Sequence, residues 1–307
     1  MNKIVKMVKR FCYCAYIYVF ADYIIGVYPS IKAKKHRVNL LDYHPELSEG
    51  SKYTYKNSRW NLGDSLGFVV VSFMLEKKGL SLESWVKKKK HLGSIGSYVL
   101  TSFQHLTIWG GGALFHPKDF RTLFYKLRLF RYPFSKYDFR AVRGPLTRNA
   151  VMEYGHKCPE VYGDPAILMP YIYTPHCRVM HDVLVIPQFY TETEFRQKHT
   201  DLYMVSMNTN DYKSVIDAIV SSKRVITSSL HGIILSEAYG VPTVFFRGLE
   251  KRNDFKYLDY YYSTGRYDVK IADSFEEALE MEPMPLPDLM GLQEGLIKSF
   301  PYDLWEQ

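Results

Sequence analysis

Ser228-Ser229-Leu230-His231-Gly232 stands where a strand-like stretch, Arg224–Ser229 (RVITSS), gives way to a helical one, Gly232–Tyr239. In a parallel α/β sheet that junction is where ligands bind, and a helix N-terminus turns unpaired N–H groups toward an anion. A phosphate or carboxylate is the natural guest of Ser228, Ser229 and Gly232. His231 there either neutralises and protonates a leaving phosphate or simply caps and packs. Arg143 holds the corresponding junction upstream, between the alternating Phe139–Arg143 and Gly144-Pro145-Leu146-Thr147. Its planar guanidinium matches a carboxylate or phosphate in bidentate fashion; the competing reading is a structural ion pair with an aspartate such as Asp138. Asn61-Leu62-Gly63-Asp64 sets an amide and a carboxylate beside a glycine, suited to sugar hydroxyls or, at Asp64, to general-base work, against the alternative of an ordinary helix cap.

These residues need a scaffold, and the pattern of the chain supplies one. Trp60–Gly67 reads as a loop entering a helix that carries the apolar run Phe68–Leu75. Leu106–Trp109 reads as a short buried strand ending in Gly110-Gly111-Gly112, a binding-loop layout. Pro145 suits the first turn of a helix that runs through Glu153 and stops at Gly155. The proline-punctuated stretch from Pro165 to Pro175 reads as a linker. Strands are expected at Asp182–Gln188, Leu202–Met207, Arg224–Ser229 and Val241–Phe246, with helices at Tyr212–Ser221, Gly232–Tyr239 and Ser274–Met281. Strands spaced by helices of this length imply βαβ units and a parallel sheet. The domains expected are 41–170 and 171–285, with a C-terminal tail, 286–307, that crosses back onto the first.

Length and composition agree with that layout. The 307 residues are about twice a typical single domain, and 47% apolar with 23% charged residues is an ordinary globular balance. Cys12, Cys14, Cys158 and Cys177 form no CxxC pair and have no His–Cys ligand spacing, so neither a disulfide framework nor a zinc site is encoded and a reducing compartment fits. Residues 1–40 hold eight Lys and Arg against Asp22 alone, so they carry seven of the eight net positive charges of the chain. The body is close to neutral, which argues against a nucleic-acid partner. Within that segment Phe11–Tyr28 contains seven aromatics and is apolar or aromatic all round except at Asp22 and Gly26. It reads as a peripheral anchor on an anionic membrane surface, with a helix packed on the protein's own body or a short span as the alternatives. A cleavable secretory signal is a poor match.

Taken in order, WNLGDSLG, GSIGS, WGGGA, AVRGPLTR, YGDPAIL, SSLHGIILSEAYGVP and FKYLDYY (the last at Phe255–Tyr261) resemble the polysaccharide pyruvyl transferase family, from about Trp60 to about Tyr262. The resemblance implies an α/β fold of two facing Rossmann-like domains, similar to GT-B glycosyltransferases. It also implies transfer of a pyruvyl group from phosphoenolpyruvate to a sugar of a surface or exopolysaccharide precursor as a cyclic ketal. Phosphoenolpyruvate is then the donor substrate, a lipid-linked oligosaccharide or sugar is the acceptor, no metal or other cofactor is called for, and the setting is cytoplasmic. Donor binding is carried over to Arg143 and His231. Many relatives have an arginine where Ser229 stands, so Arg247 or Lys256 is expected to supply the missing cation. His231 and Asp64 are the expected catalytic pair, and Asn61, Asp64 and Gly111 the expected acceptor contacts. A GT-B glycosyltransferase using a nucleotide sugar is the rival reading, with Glu237 the residue placed nearest to a ribose clamp.

Overall fold

The computed structural model describes residues 38–41, 61–86, 90–99, 106–116, 137–248 and 254–306. The basic, aromatic segment 1–37 and the polar stretch 42–60 lie outside the described residues. Among the described residues no helix is long and apolar enough to cross a membrane.

Two parallel sheets make up the frame. The first has the order β1 (Val38–Leu41), β2 (Lys90–Gly93), β3 (Leu106–Trp109) and β4 (Tyr137–Ala141). The second has the order β5 (His181–Ile186), β6 (Ser222–Thr227) and β7 (Thr243–Phe245). Both are parallel, and the helices described between their strands make an α/β arrangement compatible with a Rossmann-like fold. Helix α1 (Leu62–Glu76) follows β1, and α2 (Pro145–Glu153) follows β4. Helices α3 (Glu192–Lys198) and α4 (Tyr212–Val220) lie between β5 and β6, and α5 (Leu230–Ala238) links β6 to β7. Helices α6 (Phe255–Ser263), α7 (Phe275–Glu280) and α8 (Met290–Ser299) complete the chain, with 3₁₀ turns at Pro165–Tyr171 and Tyr302–Leu304.

Local sequence explains most boundaries. Pro145 opens α2 at a position where its missing N–H costs nothing, and Gly155, at φ 82°, follows its end. Asp211 and Ser274 cap α4 and α7 by accepting the Ser214 and Glu277 N–H groups. Strand β3 buries every residue and β6 its C-terminal half, Val225–Thr227, as strands covered on both faces do.

Four expectations are corrected. Trp60–Gly67 is not a loop: the helix begins at Leu62, so Gly63 and Gly67 lie within it. Leu202–Met207 is not a strand and keeps a single bridge, Val185 to Met204. There the Ser206 hydroxyl donates to Glu192 and accepts from the Asn208 N–H, drawing the chain off the ladder. Helix α3 was not expected, and 165–171 is a 3₁₀ turn rather than an unstructured linker.

The tail does return to the first sheet. Trp109 Nε1 donates to Leu296 O at 2.9 Å, Tyr302 Oη to Met74 O at 2.8 Å, and Arg140 pairs with Asp303 at 2.7 Å. Helix α8, which no pattern signalled, carries this contact. One apolar cluster joins Leu62, Leu66 and Trp109 to Ile186, Leu230, Ile233 and Tyr260, so elements of both sheets share a core.

Candidate active site

The site is built where α1, α5 and the 165–171 turn begin. Ser229 is the N-cap of α5 in extended conformation, and its hydroxyl makes no capping bond. The same holds for Asn61 at the head of α1. The first-turn amides of both helices are therefore not taken by their own cap side chains; the Leu62 N–H of α1 instead donates to Met207 O, and each helix start keeps the positive end of its dipole.

His231, in the first turn of α5, joins them. Gly63 lies directly against its Nδ1, and a Cβ at Gly63 would overlap the imidazole, so only glycine lets α1 approach this closely. On its other side, His231 Nε2 is 3.7 Å from Oδ2 of Asp164. Asp164 is 1% exposed, and its Oδ1 accepts the Ala166 N–H and caps the 3₁₀ turn. Among the described residues Nε2, which is buried, has no hydrogen-bond partner.

Arg143 is 1% exposed and engaged on three sides. Its Nε donates to Asp259 Oδ2 at 3.2 Å, one terminal nitrogen to Ser97 Oγ at 3.0 Å and the other to Ala113 O at 2.6 Å. The guanidinium lies over Gly112, where any side chain would displace it. Asp259 also accepts from the Thr147 N–H and hydroxyl. Burial pushes the Asp259 carboxyl up from the ordinary range while the Arg143 charge pulls it down. The structural ion pair weighed for Arg143 is thus present with Asp259, on α6. Asp138 pairs instead with Arg140.

The other expected residues are placed as follows. Ser228 Oγ accepts the Gln188 N–H, and its carbonyl accepts Tyr257 Oη. The Ser229 N–H donates to Thr227 Oγ1, and Gly232 lies against the same threonine. Arg247, after β7, pairs with Asp254 and Asp273 and remains one-third exposed. Lys256 is half-buried in the first turn of α6, with Nζ 4.8 Å from the centre of the Tyr257 ring. Gly111 lies under the Tyr98 hydroxyl end. Asp64 falls in the first turn of α1, but its side chain is outside the described residues. Glu237 is buried in an ion pair with Arg266 and accepts Tyr260 Oη, so it is not available as a ribose clamp.

Seven separated stretches meet in this network. Gly63 touches His231, His231 faces Asp164, and the Gly163 N–H donates to the Val142 and Arg143 carbonyls. Arg143 contacts Ser97, Ala113 and Asp259, while α6 reaches back through Tyr257 to Ser228. Asp164, Asp259, Thr147 and Ser97 are the members that sequence reasoning passed over. Only Asp164 had a local signal, an aspartate before a proline at a helix start. Among the described residues no group of three His, Cys, Asp or Glu side chains is placed to hold a metal.

Fold and site together define a parallel α/β protein in which the starts of α1, α5 and the 165–171 turn meet at His231. The family model for polysaccharide pyruvyl transferase matches residues 31–248, well over half of the chain, and the protein belongs to that family. It is a transferase enzyme accordingly. No curated protein sequence matches the chain.

Proposed function

We propose that the enzyme transfers the pyruvyl group of phosphoenolpyruvate to two hydroxyls of a sugar in a surface or exopolysaccharide precursor, forming a cyclic ketal and releasing phosphate. The observation that carries this reading is His231 held between the starts of α1 and α5. The donor's anionic groups lie against those helix ends, with the Ser228–Gly232 turn beneath the phosphate. Lys256 supplies cationic charge for the donor, whereas Arg247 has less support in that role because it already pairs with Asp254 and Asp273. Direct contact of Arg143 with the donor has less support, because the side chain is buried on Asp259.

In this mechanism His231 donates a proton to the methylene carbon of phosphoenolpyruvate, which becomes the methyl group. One sugar hydroxyl adds to the resulting oxocarbenium-like carbon and loses its proton, with Asp64 positioned to orient or deprotonate it. The second hydroxyl then displaces phosphate and closes the ring. One hydroxyl proton in effect replaces the proton given to carbon, and the other leaves with phosphate, so the protons balance. Asn61 and Gly111 complete the acceptor side.

The reaction is placed on the cytoplasmic side, with residues 1–40 holding the enzyme on an anionic membrane surface near a lipid-linked acceptor. Glycosyl transfer is disfavoured by the engagement of Glu237. Incubation with labelled phosphoenolpyruvate, a nucleotide sugar and a lipid-linked oligosaccharide pool tests the reading. Acceptor mass should rise by one pyruvate less one water, with one phosphate released per ketal; glycosyl incorporation without pyruvyl incorporation would refute it.

A further inference from the structure

The 165–171 turn begins at the centre of the candidate site, and the residue that caps it has a second oxygen in play. Asp164 Oδ1 is committed to the Ala166 N–H at 3.0 Å, while Oδ2 is turned to the imidazole of His231, 3.7 Å from Nε2. Nε2 is buried and makes no hydrogen bond to any described residue. A buried N–H without an acceptor is costly, and the Asp164 carboxylate is the acceptor within reach. The separation is slightly beyond hydrogen-bond length, a spacing that catalytic pairs show before substrate binds and shorten afterwards.

The backbone around the pair is fixed from both sides. The Gly163 N–H is tied to the Val142 and Arg143 carbonyls, so Asp164 sits at the end of β4 whatever the side chain does. Gly63, having no side chain, leaves room for the Nδ1 edge of the ring at the start of α1. We propose that Asp164 is the positioning residue for His231: it accepts a hydrogen bond from the Nε2–H, fixes the ring tautomer and leaves Nδ1, at the start of α1, as the nitrogen that gives and accepts the proton during transfer. No bond is made or broken at Asp164. The carboxylate acts through the imidazole, in the way a buried aspartate orients a catalytic histidine in hydrolases of unrelated fold. The proton-transfer part of the inference rests on the function proposed above, whereas the tautomer part stands by itself.

Nitrogen NMR of the full-length protein with ¹⁵N-labelled histidine tests it, the His231 signals being assigned by their loss in His231→Asn. The neutral ring is expected as the Nε2–H tautomer. Asp164→Asn keeps the oxygen that caps Ala166, so the fold should hold, while the carboxylate is lost. This variant should shift the tautomer and lower kcat for pyruvyl transfer at least about 10-fold with little change in KM for phosphoenolpyruvate. Asp164→Glu should restore part of the rate if the carboxylate is what matters. An Nδ1–H tautomer in the unmodified protein, or full turnover in a folded Asp164→Asn, would overturn the inference. Should the unmodified enzyme transfer no pyruvyl group, the functional reading fails while the tautomer still decides the role of Asp164. Should Asp164→Asn not fold, the spectrum of the unmodified protein decides it.

Discussion

Arg143 and Asp259 form a buried ion pair, 1% and 0% exposed, that ties the end of β4 to α6. The pair lies 116 residues apart in sequence and is completed by Thr147, whose hydroxyl and N–H both donate to the same carboxylate. Two buried charges are tolerable only while they face each other, because each alone would lose its hydration without compensation. Since α6 also bonds to Ser228 through Tyr257, the pair holds the end of β4 against the Ser228–Gly232 turn.

Arg143→Ala should therefore destabilise the fold by about 3–5 kcal/mol, the usual effect of leaving one buried charge unpaired. Asp259→Asn should destabilise it comparably, since it leaves the Arg143 charge buried without a counter-charge and turns an amide NH2 toward donors that the carboxylate had accepted from. Urea unfolding of both variants checks this. An unchanged midpoint for Arg143→Ala, with only a raised KM for phosphoenolpyruvate, would assign the residue to donor binding instead.

His231→Asn and His231→Gln should fold normally, keep measurable phosphoenolpyruvate binding and lose about 10²–10⁴-fold in turnover, the range of a positioned acid–base group. Steady-state kinetics with a thermal melt separates this from packing. Wild-type turnover with a lowered melting temperature would make His231 structural.

Gly63→Ala should displace the His231 ring, since the new Cβ falls on Nδ1. A cost of about 1–3 kcal/mol is expected from overpacking, together with a fall in turnover. Gly291→Ala is the control, because nothing lies within 4 Å of its Cβ position and the site is in helix α8. It should be neutral or slightly stabilising. Equal behaviour of the two variants would contradict the packing described here.

Burial pushes the Cys158 thiol up to about 12, against an ordinary value of about 8.5, whereas Cys177 is half-exposed. At pH about 8.5 iodoacetamide should label Cys177 in the native protein and leave Cys158 until the chain unfolds, as peptide mass spectrometry would show. Between those two values the unfolded chain gives up the thiol proton and the folded one retains it. Stability should then fall as pH rises, by up to about 1.4 kcal/mol per unit from this group, and Cys158→Ser should flatten that slope. Native labelling of Cys158 as fast as Cys177 would refute the burial.

Deleting residues 1–30 should release the enzyme from anionic liposomes into the soluble fraction, given the basic charge and seven aromatics of that segment. A full-length protein indifferent to such liposomes would exclude the anchor, and misfolding on deletion would favour a helix packed on the body.

The sequence by itself determined the class of fold and the junctions that matter, because these are written locally. A run such as RVITSS followed by GIILSEAYG changes its apolar period within a few residues, and Pro145 and Gly155 bracket α2 through backbone preferences of their own. The motifs WNLGDSLG through FKYLDYY could likewise be read off one by one. The short strand wrongly expected at Leu202–Met207 shows the limit, since its apolar pattern is outweighed by the side-chain bonds of Ser206. Only the tertiary structure decided which residues face one another. That Gly63 belongs under His231, that Asp164 faces the imidazole, and that Arg143 pairs with Asp259 rather than Asp138 are contacts between segments far apart in the chain. No local propensity encodes them. They follow from the arrangement in which both sheets share a core and the buried Arg143 and Asp259 face each other.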